Sequence, residues 1–164
     1  MKLISWNVNG LRAIAKKGFL EWVKKEKPDI LCLQETKAWK EQLPDNIINI
    51  PGYKSYFSEA SKKGYSGTAL YTKVEPGSVS TKIGVDEFDS EGRFLIAEFD
   101  QFILFNIYFP NGKKDAIRLK YKLDFYEAFL DHVKNLLNQN KKIVVCGDVN
   151  TAHKEIDLAR PKQN

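Results

Sequence analysis

The sequence predicts a layered α/β domain built on a mixed sheet, and three observations carry that prediction. "DILCLQE" (29–35) is a near-continuous apolar run, the pattern of a strand covered on both faces. "RFLIAEFDQFILFNIYFP" (93–110) holds two β-rich runs joined near Asp100-Gln101, with Pro110 ending the second, which is a hairpin. From Asp115 to Asn138 apolar residues recur at spacings of three and four, the periodicity of a helix. Strands interleaved with a few helices bury their apolar faces by stacking as layers.

Each element has its own warrant. "KLISW" is a short apolar run ended by Asn7. Between Gly18 and Glu26, "GFLEWVKKE" sets Phe19, Leu20, Trp22 and Val23 on one helical face, and Pro28 stops the helix. The run "DILCLQE" follows, then "YKSYF", "GTALYT" and "SVSTKIG" as further strands punctuated by Gly and Pro. After the hairpin, Asp115 is the expected N-terminal cap of the long helix. Its apolar stripe reads as Leu119, Leu123, Tyr126, Leu130, Val133 and Leu137. "KIVVCGD" is the last strand.

At 164 residues the chain fits one domain, and no repeat or low-complexity linker divides it. With 43% hydrophobic and 29% charged residues, the composition excludes a disordered chain. The excess of 26 Lys and Arg over 21 Asp and Glu, a net charge of +5, suits a polyanionic partner. Cys32 and Cys146 sit inside apolar runs and read as small buried hydrophobes in a reducing compartment, with no zinc or redox spacing. No apolar run reaches the ~18 residues that span a bilayer. "MKLISWNVNG" breaks into Asn and Gly too soon for a signal-peptide core. The expectation is a cytoplasmic protein with no membrane partner.

Chemistry collects where strands end. "LISW" ends at Asn7, "DILCLQ" at Glu35, "ILFNI" at Tyr108, and "IVVCG" at Asp148 with Asn150 two places on. Sites form where the chain leaves a sheet. Converging, these ends supply two carboxylates, two amides and a phenol, a set suited to a hard divalent ion and phosphate-ester hydrolysis. Each residue also has a plainer reading. Asn7-Val8-Asn9-Gly10 is turn chemistry, Glu35 a solvated loop residue, Tyr108 a half-buried aromatic, and Asp148 a turn cap after Gly147. Their joint occurrence at successive strand ends favours a metal-dependent hydrolase.

Six ordered blocks sharpen this. "SWNVNGLRA" (5–13), "LQETK" (33–37), "GYSGTALYTK" (64–73), "EGR" (91–93), "YFPNG" (108–112) and "GDVNTAHKEIDL" (147–158) resemble the exonuclease III family of apurinic/apyrimidinic endonucleases. The resemblance implies a DNase I-like sandwich of two mixed β-sheets with helices outside. It also implies magnesium-dependent cleavage of DNA 5′ to an abasic site, with 3′-to-5′ exonuclease activity frequent and manganese an alternative ion. By motif position, Glu35 is the principal metal ligand, with Asn7, Asp148 and Asn150 beside it; Asp148 activates water, Asn150 holds that water or phosphate oxygens, and Tyr108 sits against the scissile phosphate. Asn9 departs from relatives that carry Asp there, which removes a charge from the metal's surroundings.

DNA contacts are expected from basic loops: Lys63, Gly64 and Tyr65 in a donor-rich turn, with Arg12, Asn111 and Arg118 beside the other motifs. The Lys pairs at 16–17, 24–25 and 141–142 read as solvated ends. An abasic sugar is read by extrusion into a small apolar pocket. The family pattern continues past "EIDLARPK" with an aromatic pocket, a further Asp and a terminal Ser-Asp-His that do not occur here. Of the two histidines, His132 reads as a helix-surface residue and His153 as part of its motif, so neither replaces the missing one. The expectation for 1–164 is therefore the N-terminal portion of one such domain. A catalytically silent fragment that self-associates or pairs with a complementary C-terminal chain is the alternative, and a phosphoinositide or sphingolipid phosphodiesterase is a third.

Overall fold

The computed structural model describes residues 1–161. Eight strands form two four-stranded mixed sheets. The first contains β1 (Leu3–Asn7), β2 (Ile30–Gln34), β3 (Lys54–Ser58) and β4 (Thr68–Thr72), in the order β1-β2-β4-β3. The second contains β5 (Ser78–Ser80), β6 (Phe94–Phe99), β7 (Phe102–Tyr108) and β8 (Ile143–Asp148), in that order. One parallel pair occurs in each sheet, β1 with β2 and β7 with β8; the remaining pairs are antiparallel.

Side-chain alternation explains why the sheets stack. On β2, Ile30 and Cys32 point to the other sheet, where, beside Leu70 of the neighbouring β4, they meet Leu95, Ala97 and Leu104. Leu31 and Leu33, one residue out of phase, point outward and pack with Phe19 and Val23 of α2 (Phe19–Glu26) and Leu11 of α1 (Leu11–Ala15). On β7, Ile103, Phe105 and Ile107 face Tyr121, Phe125 and Phe129 of α5 (Ala116–Asn138). Two short helices, α3 (Asp45–Ile48) and α4 (Asp86–Asp89), add Ile47 and Phe88 to the outer layers. The result is helix, sheet, sheet, helix.

The β6–β7 hairpin turns at Asp100-Gln101 as expected, and Asp115 caps α5 by accepting from the Arg118 amide at 2.7 Å. Three expectations are corrected. First, α5 does not bury the Leu119–Leu123–Leu130–Leu137 stripe: these leucines are 49% to 55% exposed, and the neighbouring stripe of Tyr121, Phe125 and Phe129 is buried. Aromatic rings bury more area than leucines and pack edge-on to Phe88 and Phe109 and stacked on Phe94, so they take the core face. Second, "SVSTKIG" is a strand only over Ser78–Ser80; Ile83 packs with the α5 layer instead. Third, His132 is half-buried with its ring edge-on to Phe105 at 5.9 Å, and burial lowers its pKa. Cys32 and Cys146 are free thiols. Among the described residues no helix is long and apolar enough to cross a membrane.

Candidate active site

β1, β2, β7 and β8 each deliver one polar side chain to the same end of the sandwich. Asn7 closes β1 and Asp148 closes β8, and the Asn7 Nδ2 donates to Asp148 Oδ2 at 2.7 Å across the two sheets. Glu35 follows β2 directly, and Tyr108 closes β7; the Tyr108 hydroxyl donates to Glu35 Oε1. Asn150 returns to this corner, its backbone amide donating to Asp148 Oδ1 at 2.9 Å and its Nδ2 to the Phe109 carbonyl at 2.9 Å. The five residues singled out at strand ends thus stand at one corner in two hydrogen-bonded groups, Glu35 with Tyr108 and Asn7 with Asp148 and Asn150.

Local backbone geometry turns these side chains out of the sheets. Glu35 (φ 53) and Asn150 (φ 50) both occupy the left-handed region, which costs a non-glycine residue free energy and ends strand pairing. Gly147 has φ 138, and a Cβ there would lie 1.9 Å from the Ile107 carbonyl oxygen. Only glycine lets β8 approach β7 closely enough to bring Asp148 opposite Tyr108 in the register.

Lys37 is the cation of the site. Its Nζ pairs with Glu35 Oε2 at 2.8 Å and donates to Asn9 Oδ1 at 2.6 Å. Burial pushes the Glu35 carboxyl up, but Lys37 and the Tyr108 hydroxyl outweigh it and hold the pKa below its ordinary value. Burial and the Glu35 carboxylate both push the Tyr108 phenol up, so it stays protonated and donates. Lys122 of α5 donates to the Asn150 carbonyl at 2.7 Å, fixing the loop after β8.

Behind Tyr108 lies a second network. Arg93 is 2% exposed, an unusual burial for a guanidinium. It donates to Glu91 Oε2 at 2.6 Å, to the Tyr65 hydroxyl at 2.8 Å and to the Tyr108 carbonyl at 3.0 Å, with its charge 4.9 Å from the Tyr108 ring centre. Arg118 donates to Glu91 Oε1 at 3.0 Å and to the Tyr65 hydroxyl at 3.2 Å. Neither Arg93 nor Lys37 was picked out by strand-end reading. "EGR" and "LQETK" are visible as motifs and hold the Arg93–Glu91 and Lys37–Glu35 ion pairs, but the hydrogen bonds from Lys37 to Asn9 and from Arg93 to Tyr65 and the Tyr108 carbonyl join residues distant in sequence.

The residues expected to contact DNA divide into two groups. Tyr65, Asn111 and Arg118 line a cleft with Arg93, Tyr108 and Lys113, next to the strand ends. Arg12 and Gly64 line a broader basic cavity with Lys16, Lys17 and Lys37. Lys63, next to Gly64 in sequence, has its ammonium 4.6 Å from the Trp39 ring centre.

The donor set tests which metal fits. Among the described residues no three His, Cys, Asp or Glu side chains gather as a closed cage. Carboxylates from Glu35 and Asp148 with amide oxygens from Asn7 and Asn150 are hard oxygen donors, the chemistry of a magnesium-type ion that keeps most of its waters. They fit magnesium or manganese, and they do not fit a structural zinc site.

Comparison with known proteins gives the family and the fold. The model of the Endonuclease/Exonuclease/phosphatase family matches residues 4–164. The chain is 47% identical over 166 residues to the zebrafish (Danio rerio) DNA repair nuclease APEX1, covering 100% of this chain and 53% of that protein. It is 46% identical to a Bacillus subtilis exodeoxyribonuclease, covering 100% of this chain and 64% of that protein. An AP endonuclease from Archaeoglobus fulgidus superposes with a TM-score of 0.85 at 32% identity, covering 99% of this chain and 62% of that one. The 3′-5′ exonuclease NExo from Neisseria meningitidis gives 0.86 at 27% identity, covering 99% of this chain and 63% of that one. The sandwich is DNase I-like, and the chain spans between half and two thirds of the length of these relatives.

Proposed function

The chain belongs to the endonuclease/exonuclease/phosphatase family, and within it we propose a divalent-metal-dependent DNA-repair phosphodiesterase that cuts the backbone 5′ to abasic sites and trims 3′ ends. The observation that carries this reading is the meeting of two cross-sheet pairs, Tyr108 with Glu35 and Asn7 with Asp148, at one end of the sandwich. Glu35, with the Asn7 amide oxygen and the Asp148–Asn150 corner, would hold magnesium or manganese, which supplies charge neutralisation at the phosphate and at the departing 3′ oxygen.

The chain's own residues do the rest. Asp148 accepts the proton of the attacking water, while Asn7 and the Asn150 amide hold its carboxylate in place. The water oxygen bonds to phosphorus as the bond to the 3′ oxygen breaks; the 3′ oxygen leaves with the electron pair and takes a proton from solvent water, giving a 3′ hydroxyl and a 5′ phosphate on the abasic sugar. The Asn150 side chain orients the water or a phosphate oxygen. Tyr108, kept protonated, donates toward the developing charge. Arg12, Gly64, Tyr65, Asn111 and Arg118 bind the double-stranded substrate along the two basic clefts, with Lys63 next to Gly64 adding charge.

The half-exposed Leu119, Leu123, Leu130, Leu137, Val144 and Val145 support a covering polypeptide on the α5–β8 side, either a complementary segment or a second copy of the chain. Sedimentation of the chain by itself distinguishes monomer from self-association.

The direct test is a duplex with one abasic site incubated with the chain and magnesium. Nicking 5′ to the lesion that EDTA abolishes and Glu35→Ala removes supports the reading. Nicking that survives EDTA, or cleavage of a phosphoinositide in preference to DNA, contradicts it.

A further inference from the structure

Directly beneath the two catalytic pairs, the sandwich core contains a polar contact where its pattern calls for an apolar one. Gln34 is 1% exposed and Asn106 0% exposed. Gln34 Nε2 donates to Asn106 Oδ1 at 2.7 Å and to Ser5 Oγ at 3.1 Å. Asn106 Nδ2 donates to two carbonyls of the opposite sheet, Leu33 at 3.2 Å and Ala69 at 2.9 Å. Leu33 and Ala69 are cross-strand partners on β2 and β4, so a single side-chain amide from β7 grips both strands of the facing pair.

The arrangement has two consequences. Apolar inter-sheet contacts such as Cys32 on Leu104 resist separation but permit sliding, because dispersion and hydrophobic burial are non-directional. An amide with fixed donor and acceptor directions does not permit sliding, since a shift of one residue leaves its buried groups unpaired. Its position also matters. Glu35 is the residue after Gln34, and Tyr108 lies two residues after Asn106, on the same alternating face of the strand. The clamp therefore sits within one or two residues of the groups that must meet across the sheets.

We propose that Gln34 and Asn106 are positioning residues: their buried amide clamp fixes β2 against β7 so that the Glu35 carboxylate and the Tyr108 hydroxyl meet in reactive register. This rests on the phosphodiesterase reading for its kinetic consequence, but its geometric content stands apart from it.

The informative variant replaces both amides with apolar side chains of similar shape, Gln34→Met with Asn106→Leu. The double change removes the Gln34–Asn106 bond from both ends but also takes donors from Ser5 Oγ and from the Leu33 and Ala69 carbonyls, so it lowers the melting temperature, and measurements are made well below it. Two readouts then separate positioning from simple support. In kinetics on the abasic duplex, kcat falls about 10- to 100-fold with KM unchanged, the signature of reacting groups displaced without loss of substrate binding. In 19F NMR of chain carrying 3-fluorotyrosine, the Tyr108 resonance, assigned by its loss in Tyr108→Phe, moves toward its position in Glu35→Gln. A double variant with parental kcat and an unmoved Tyr108 resonance overturns the proposal. Absence of nicking by the parent chain counts against the nuclease reading alone, and the 19F result still decides the clamp. Should the double variant not fold, Gln34→Met alone, which leaves Asn106 its two carbonyl partners, carries the same two readouts with the same criteria.

Discussion

β2 and β8 are written alike, an apolar run ending next to a carboxylate, yet the structure treats them differently. Every residue of β2 is buried, with a strand on each side and apolar layers on both faces. No residue of β8 is fully buried; it lies at the edge of its sheet and pairs only with β7. Glu35 consequently follows a fully buried central strand, while Asp148 is held by individual contacts: the close β7 pairing at Gly147, the amides of Asn7 and Asn150, and Lys122 beneath the following loop. One half of the candidate site is positioned by the core and the other half by hydrogen bonds.

The largest expected effect breaks the β8 side outright. Gly147→Ala puts a Cβ 1.9 Å from the Ile107 carbonyl at φ 138, so β8 separates from β7 and the chain loses more than about 4 kcal/mol, measured by denaturant unfolding. Next comes the contrast itself. Leu33→Ala on β2 costs about 2–5 kcal/mol by cavity formation, whereas Val145→Ala on β8 costs less than about 1 kcal/mol. Equal costs would mean that β8 is as deeply packed as β2.

A pH series sharpens the part between the two strands. Burial pushes the Glu91 carboxyl up, but Arg118 and Arg93 together hold it below its ordinary value. A carboxyl with a depressed folded-state pKa adds stability that is fully present above its unfolded pKa and is lost as pH falls through the folded value. Stability therefore drops on acidification, and Glu91→Gln makes the acid limb of a melting-temperature profile shallower. An unchanged acid limb would show that the Arg93 network does not brace β7. The smallest effect lies on α5, where Leu123→Lys shifts the stability of the monomeric chain by no more than about 0.5 kcal/mol because that face is exposed.

The α5 result shows where sequence patterning succeeds and where it stops. Helical spacing located the element and its Asp115 cap, but two apolar stripes lie side by side on it, and leucine count favoured the wrong one. Ring-on-ring packing with Phe88, Phe94 and Phe109 chose between them, and those partners are non-local. Helices α1, α3 and α4 are four or five residues long, too short for periodicity to register. Strand ends were legible because an apolar run passing into Asn, Glu, Tyr or Asp is a local signal. Lys37, Arg93 and the Gln34–Asn106 clamp were not, because their meaning lies in partners brought by another sheet or loop.

The central claim is that strand ends from both sheets act as one metal-dependent hydrolytic unit. Single-turnover cleavage of an abasic duplex by Glu35→Ala, Asp148→Asn and the double variant tests it most directly. Members of one unit are non-additive, so each single change is expected to slow cleavage by more than about 100-fold and the double change to do little further harm. A double variant whose loss equals the product of the two single losses, or either single variant at parental rate, would contradict the account.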